Sequence, residues 1–239
     1  MRKTKPVSHA TLRRLPQYLH LLRQRLEQGA VRVSCSDIGR ELQLDPTQVR
    51  KDLEVTGSPG RPRIGFSVPD LVEAIEEFLG WNRVNEAFLA GVGHLGTALL
   101  NYSRLRNYGV HIVAAFDTDP AKIGTELGGR QVLPLERITG LAGRMHVRIG
   151  IIAVPAEEAQ RVADMMVAGG IQAIWNFAPV SLQVPKRIIV QNEELYYSLA
   201  ALSRKLAANR KQSLKIGGAT HHGTDAVTTT GRGQRAGQV

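Results

Sequence analysis

Cysteine is nearly absent from this chain of 239 residues: Cys35 stands alone. No intrachain disulfide can form, which excludes a disulfide-built secreted domain and fits a reducing compartment. Aromatic residues are scarce, at 5%. Long apolar runs are missing too. The longest, "IGIIAVPA", falls far short of the ~20 residues that a membrane-spanning helix needs. The opening "MRKTKPVSHATLRRLPQ" has the charge of a signal peptide but no apolar segment behind it, so a cytoplasmic protein is expected. None of the five tyrosines has a lysine four residues later, which removes a Tyr-x-x-x-Lys dyad, and no Cys/His cluster has the spacing of a metal site. His221 and His222 lie in a loose C-terminal tail.

Acidic residues are in short supply as well, and where they are short is informative. The formal net charge is +10. Residues 1–66 hold thirteen Lys/Arg against six Asp/Glu, so the excess concentrates in an N-terminal module suited to an acidic partner such as nucleic acid. In "SHATLRRLPQYLHLLRQRLEQGA", Leu12, Leu15, Leu19, Leu22 and Leu26 recur at helical spacing, with Pro16 expected in the first turn or at a kink. A second helix follows, with Ser36 as its expected N-cap. "DPTQVRKDLEVTG" then opens a third, with Asp45 as N-cap, Pro46 at the first helical position and Gln48 placed for a capping box. Two short helices around a tight turn predict a helix-turn-helix. "SPGRPRIGF" predicts a β-hairpin wing anchored by Ile64 and Phe66, and "VPDLVEAIEEFLG" a closing helix near residue 80.

In a winged helix the second helix of the turn enters the major groove. Thr47, Gln48, Arg50 and Lys51 lie away from the inward Val49/Leu53 face. Arginine and glutamine can read base edges, whereas lysine meets phosphate. Arg61 and Arg63 on the wing suit the minor groove. Cys35, just before the second helix, reads as a packed small residue.

From Glu86 onward short apolar strands alternate with helices: "EAFLAG", "VHIVAAF", "RIGIIAV", "AIWNFA" and "RIIVQ" are the strands. That alternation predicts an α/β fold, a doubly wound parallel sheet of Rossmann type. Between the first two strands stands "LAGVGHLGTALL", with glycines at 91, 93 and 96 and a helix expected to open at Leu95. The turn Gly91, Val92, Gly93, His94, Leu95, Gly96 has the pattern that carries a pyrophosphate on backbone amides at a helix N-terminus. Asp117 ends the next strand, 21 residues past Gly96, where a carboxylate binds ribose hydroxyls and repels a 2′-phosphate. NAD(H) is therefore expected over NADP(H). His94 has no nucleophile–base partner near it, and no substrate domain follows the sheet, so no catalytic residue is assigned. Two readings compete: an oxidoreductase carrying a nucleic-acid module, and a regulator that binds CoA or another nucleotide on the same sheet. The expected domains are 1–80 (winged helix), 81–191 (dinucleotide-binding), 192–210 (closing helix) and 211–239 (disordered tail).

The stretches "QVRKDLEVTG", "AGVGHLG", "FDTDPAKIG", "AVPAEEAQ" and "IWNFAPVSLQVP", in this order over roughly residues 8–210, resemble the Rex family of bacterial redox-sensing transcriptional repressors. The resemblance implies a homodimer on palindromic operator DNA, released by NADH while NAD⁺ competes. It implies a C-terminal helix, here 193–209, swapped onto the partner. It places Val154, Pro155, Asn176, Phe177, Ala178 and Pro179 near the nicotinamide. It assigns Tyr102, Glu194 and His20 to the switching network, with Leu195 and Tyr196 where relatives insert an aromatic side chain. The chain departs from the common "KDLSYFG" with "KDLEVTG" and has Pro59 and Pro62 on the wing, so the resemblance does not carry over an operator sequence.

Overall fold

In the computed structural model, which describes residues 7–61, 63–193 and 195–218, the chain forms two units that divide after residue 193. Helix α1 (His9–Glu27) begins where the Ser8 hydroxyl accepts the Thr11 amide hydrogen. Its buried face is Leu15, Tyr18, Leu19 and Leu22. Leu12 and Leu26, expected on that face, are each 41% exposed, since they sit near the helix ends beyond its packing partners. Pro16 stands in the helix interior, not in the first turn. An interior proline costs about 3 kcal/mol. Burial of four large side chains, at roughly 1.5–3 kcal/mol each, outweighs it.

Strand β1 (Arg32–Val33) leads into α2 (Cys35–Leu42). The N-cap is Ser34, not Ser36: its hydroxyl accepts the Asp37 amide hydrogen while the Asp37 carboxylate accepts from the Ser34 amide. Starting from Ser36 would put Gly39, which has no side chain, at the reciprocal position. Helix α3 (Pro46–Glu54) follows, with Asp45 accepting from the amides of Thr47 and Gln48. Strand β2 (Phe66–Ser67) pairs antiparallel with β1, and α4 (Val68–Leu79) runs to Gly80. The wing is a turn closed by reciprocal backbone bonds between Arg61 and Gly65. Phe66 is its buried anchor. Ile64, expected as a second anchor, is 50% exposed. Leu15, Leu19, Ile38, Val49, Leu53 and Leu71 meet in the core of this module.

The second half contains β3 (Asn85–Ala90), α5 (His94–Asn101), β4 (Val110–Asp117), β5 (Glu126–Leu127), β6 (Arg130–Pro134), α6 (Ile138–Met145), β7 (Ile149–Ile152), α7 (Ala156–Ala168), β8 (Ala173–Asn176) and β9 (Ile189–Asn192). The strand order is β5-β6-β4-β3-β7-β8-β9. The last six are mutually parallel, and β5 pairs antiparallel at the edge. Taken in chain order, the parallel strands run 3-2-1-4-5-6, the doubly wound dinucleotide topology. Strand β3 shows why both faces are covered. Phe88 and Ala90 pack with α6 and α7, while Ala87 and Leu89 pack with α5 and its continuation. The segment β5, β6 and α6 was not anticipated. Its strands are short, and Gly128, Gly129, Gly140 and Gly143 interrupt any apolar period.

Two further differences matter. The helix after the glycine turn stops at Asn101, Tyr102 leaves helical angles, and a 3-10 segment (Ser103–Tyr108) continues. The two halves of the first unit meet there: Arg23 donates to Glu76 at 2.9 Å and to the Asn107 carbonyl at 3.2 Å, while the Trp81 and Tyr108 rings meet edge-on at 4.9 Å. The second unit contains α8 (Leu195–Gly218), which extends past residue 210, where the helix was expected to give way to disordered tail. Along it Tyr196, Leu199, Leu202 and Leu206 are all more than half exposed.

Candidate functional site

The strand order reverses beside β3, so the crevice of the sheet opens at the C-terminal ends of β3 and β7. Each strand there turns directly into a helix. Gly91, at φ +91°, passes so close to β7 that a Cβ would stand 2.4 Å from the Ala153 carbonyl oxygen. A Cβ on Gly96 would stand 1.8 Å from the Gly91 carbonyl oxygen, so α5 can pack on the strand only with glycine there. Gly93 differs: a Cβ on it would meet nothing within 4 Å. Two of the three glycines are thus required by the fold itself. The third leaves room on the solvent side. Helix α5 opens at His94, one residue before the expected Leu95, with Gly93 as N-cap and no side chain capping it. Its free amides face the turn. His94 and Leu95 are exposed.

Asp117 ends β4 beside this turn and is only 9% exposed. One carboxylate oxygen accepts the Val92 amide at 2.9 Å and the Lys122 ammonium at 3.3 Å, and the other accepts the Asp119 amide at 2.9 Å. Burial alone would push this carboxyl up. The two amides and Lys122 outweigh it and hold the group below the ordinary carboxylate range. A cavity of about 330 Å³ lies here, bordered by Gly91, Gly93, Asp117, Lys122, Val154 and Pro155. Asp119 and Lys122 were not singled out from the sequence. The signal was the spacing in "DTDPAK", which puts an ammonium within reach of both carboxylates.

The residues at the end of β8 lie one strand further along. The Phe177 amide donates to the Ile152 carbonyl, and its ring meets that of Trp175 at a tilt of 52° with centroids 4.7 Å apart. Asn176, Phe177, Ala178 and Pro179 do not border that cavity. The side chain of Asn176 is fully buried. Its amide donates to the Val180 carbonyl and to Asn192, and its oxygen accepts the Ala178 amide, so its hydrogen bonds are spent on shaping the turn.

A second concentration of chemistry lies on the N-terminal module. Thr47, Arg50 and Lys51 are exposed on α3, and Arg61 and Arg63 are exposed on the wing. Arg50, Arg61 and Arg63 border one groove of about 580 Å³ between α3 and the wing. Arg50 meets Glu54 only at 3.8 Å, both side chains being about two-thirds exposed, a contact that a phosphate or base can displace. Cys35 borders the same groove, and burial pushes its thiol up, which suits an inert side chain. Gln48 departs from both expectations. Its amide donates to Asp52 at 3.0 Å, so it neither closes a capping box nor points freely outward. Asp52 is the residue that sequence reasoning missed. It is 1% exposed and also accepts from Arg14, Tyr18 and Thr11 on α1. A carboxylate one turn from Val49 and next to Leu53, on their inward face, was the available signal.

The switching residues are less gathered. His20 is exposed in a groove between α1 and α2 that includes Glu41. Tyr102 is 48% exposed at the end of α5 and borders a different cavity. Glu194 and the side chain of Leu195 lie outside the described residues. Among the described residues no cluster of His, Cys, Asp or Glu could hold a metal, and no helix is long and apolar enough to cross a membrane.

Comparison with known proteins bears on both sites. Residues 6–54 match a family model described as a putative DNA-binding protein N-terminus, and residues 82–180 match one described as a CoA binding domain. A redox-sensing transcriptional repressor Rex from Bacteroides thetaiotaomicron is 43% identical over 203 residues, covering 85% of this chain and 92% of that protein. One from Treponema denticola is 42% identical over 84% of this chain and 96% of its own length. Among solved structures, RSP, a Rex-family repressor, in complex with NAD⁺ and operator DNA superposes with a TM-score of 0.80 at 31% identity, over 90% of this chain and 99% of that one. RSP in complex with NADH gives 0.77 at 31% identity, over 89% and 98%.

Proposed function

The chain belongs to the Rex family of redox-sensing transcriptional repressors, and from that premise we propose that it represses transcription by binding operator DNA as a homodimer and is released by NADH, so that its output follows the NADH/NAD⁺ ratio. The dinucleotide is a sensed ligand and is not turned over. The observation that carries this reading is the Asp117 carboxylate, fixed on the Val92 amide at the mouth of the glycine turn. In that position it can accept the adenosine ribose hydroxyls, with the pyrophosphate over Gly93 and the amides of α5. A 2′-phosphate would meet like charge. So would the 3′-phosphate on the adenosine ribose of CoA, which answers the CoA description carried by the domain family.

We assign the nicotinamide to the side of the crevice walled by Val154 and Pro155, toward Phe177 and Ala178. The oxidised ring is cationic and the reduced ring neutral, and an unpaired buried charge is costly, so such a wall favours NADH. Thr47, Arg50 and Lys51 on α3 are assigned to the major groove, and Arg61 and Arg63 on the wing to the minor groove. The proposed divisions are 1–80 for DNA binding and 81–191 for the dinucleotide, with the closing helix reaching past 210. The apolar face of α8 (Tyr196, Leu199, Leu202, Leu206) supports the homodimer, because four large side chains left in water need a second surface. We propose that this helix exchanges between subunits, and that Tyr102, Glu194 and His20 form the switching contacts. Cytoplasmic location follows from the DNA and cofactor that the protein reads.

NADH can weaken DNA binding only by preferring the released conformation. A preference of about 100-fold per site is worth roughly 2.7 kcal/mol, and two sites move an operator from mostly bound to mostly free. The test is a titration of NADH into a protein–operator complex, with NADPH and CoA in parallel. Release is expected with NADH alone, and Tyr102→Phe should bind NADH yet release DNA weakly. Equal release by all three cofactors, or none by NADH, refutes the reading.

A further inference from the structure

Beside Tyr102, which the proposed switching contacts use, lies a cavity of about 330 Å³ whose other walls the dinucleotide reading leaves unassigned. It lies at the opposite end of the sheet from the glycine turn. His111, near the start of β4, is on its wall, whereas Asp117 ends that strand, six residues or about 20 Å away. Arg106 from the 3-10 segment and Arg130 from the start of β6 also border it, over a floor that includes Leu100 and Leu105. No carboxylate borders the cavity. Among the described residues neither guanidinium has an acidic partner, whereas Arg14 and Arg23 meet carboxylates at 2.6 and 2.9 Å. Arg104 adds a further positive charge on the same segment. The neighbouring strands carry two acids, Glu86, in register with His111 on β3, and Glu126 on β5.

Arg130 donates to His111 Nε2 at 2.8 Å. A guanidinium cannot accept, so this bond requires a neutral ring with its proton on Nδ1. Burial, then Arg106 and Arg130, hold the imidazole below its ordinary range, with Glu86 opposing them weakly. Two guanidiniums without an acidic partner, one of them bonded to the imidazole, leave the cavity short of negative charge. An arginine fork matches phosphate bidentately, and the leucine floor accepts an apolar body. We propose that this cavity is an anion site for a small organic phosphate monoester, separate from the dinucleotide site. On binding, Arg106 and Arg130 fork the phosphate, and His111, relieved of their field, takes up a proton as a third donor.

The test follows the His111 ring by NMR in the full chain, its signal assigned by loss in His111→Gln. Saturating NADH keeps phosphates out of the glycine turn. Phenyl phosphate should raise the pH at which His111 titrates by about one pH unit, whereas phenol should not move it. Arg106→Ala should weaken phenyl phosphate binding at least about tenfold with its melting temperature unchanged, and Arg130→Ala should do the same. A His111 signal indifferent to phenyl phosphate overturns the proposal. So does a signal that moves equally with succinate, which would make the site one for carboxylates, or one that tracks protein concentration alone, which would fill the cavity with an acid from a second copy.

Discussion

Arg14 on α1 donates to Asp52 on α3 from Nε at 2.6 Å and from Nη2 at 2.9 Å, a two-pronged ion pair in which the carboxylate is 1% exposed. The Tyr18 hydroxyl donates to it at 2.7 Å and Thr11 at 2.9 Å. A lone buried carboxylate would be prohibitively costly. With four partners it fixes the rotation of α3 about its own axis, and so decides which side chains face outward.

Removing that carboxylate should therefore be worse than losing a surface pair, which is worth at most about 1 kcal/mol. Asp52→Ala leaves the buried Tyr18 hydroxyl and the partly exposed Arg14 guanidinium without their partner, and a loss of about 3 kcal/mol is expected. Thermal melting and urea titration measure it. Operator affinity should fall with it, while the NADH affinity of the folded fraction stays the same.

The acid side of the stability curve gives an independent reading of the same group. Burial would raise the Asp52 carboxyl, but its hydrogen bonds from Arg14, Tyr18, Thr11 and Gln48 bring it down to about 2. A carboxyl lowered on folding stabilises the native state above its unfolded value, and that stabilisation is lost as pH falls from about 4 toward 2. Asp52→Asn should flatten part of the decline in urea midpoint across this window. An unchanged slope would assign acid sensitivity to other lowered carboxyls, Asp37 and Asp117 among them.

Where chemistry is local, the residues announced their structure. Asp45-Pro46 starts α3 and Gly91 and Gly96 make the turn, because capping and close approach act within a few positions. The parallel, doubly wound sheet followed from the alternation of strands and helices, although β6 within it did not. The cap of α2 is as local, Ser34 answered by Asp37 three residues on, and lies two residues before the one expected. Most of what stayed hidden depends on distant partners. Gln48 is drawn inward by a carboxylate whose other ligands lie 34 to 41 residues away. The antiparallel pair β5–β6 has too few residues to show a period. Asn176, which the resemblance places near the nicotinamide, takes its side-chain partners in the turn and on β9, which only the fold brings to it.

The glycines of the turn can be separated by experiment. Gly96→Ala places a methyl 1.8 Å from the Gly91 carbonyl, so α5 must shift and stability should fall by more than about 1 kcal/mol. Gly93→Ala meets nothing in the free chain and should melt normally. If a pyrophosphate lies against Gly93, that same methyl weakens NADH binding about tenfold or more, as read by the quenching or enhancement of NADH fluorescence. Unchanged NADH affinity in Gly93→Ala would move the dinucleotide away from this turn.

Cofactor selectivity should respond to charge at the end of β4. In Asp117→Asn the side-chain oxygen can still accept the Val92 amide, at the expense of the bond from the Asp119 amide, while the negative charge goes and Lys122 loses a partner. NADPH affinity should rise at least about tenfold relative to NADH, since repulsion of the 2′-phosphate is replaced by an ammonium that can reach it. Competition between the two cofactors, measured at fixed ionic strength, gives the ratio. A ratio that does not move would take selectivity away from Asp117.

On the DNA side, α3 divides into side chains that are free and one that is tied. Arg50 is exposed and held only by a loose contact to Glu54, so Arg50→Ala should cost about 1–3 kcal/mol of operator affinity and relax specificity at one base position. Lys51→Ala should weaken all DNA evenly and reduce the salt dependence. Gln48→Ala removes a ligand of Asp52 and leaves the exposed face of the helix intact. Its effect should appear in melting temperature, with base preference unchanged. Selection of bound sequences from a random pool distinguishes these outcomes. A changed preference at a single position in Gln48→Ala would mean that the amide leaves Asp52 on DNA and reads a base after all.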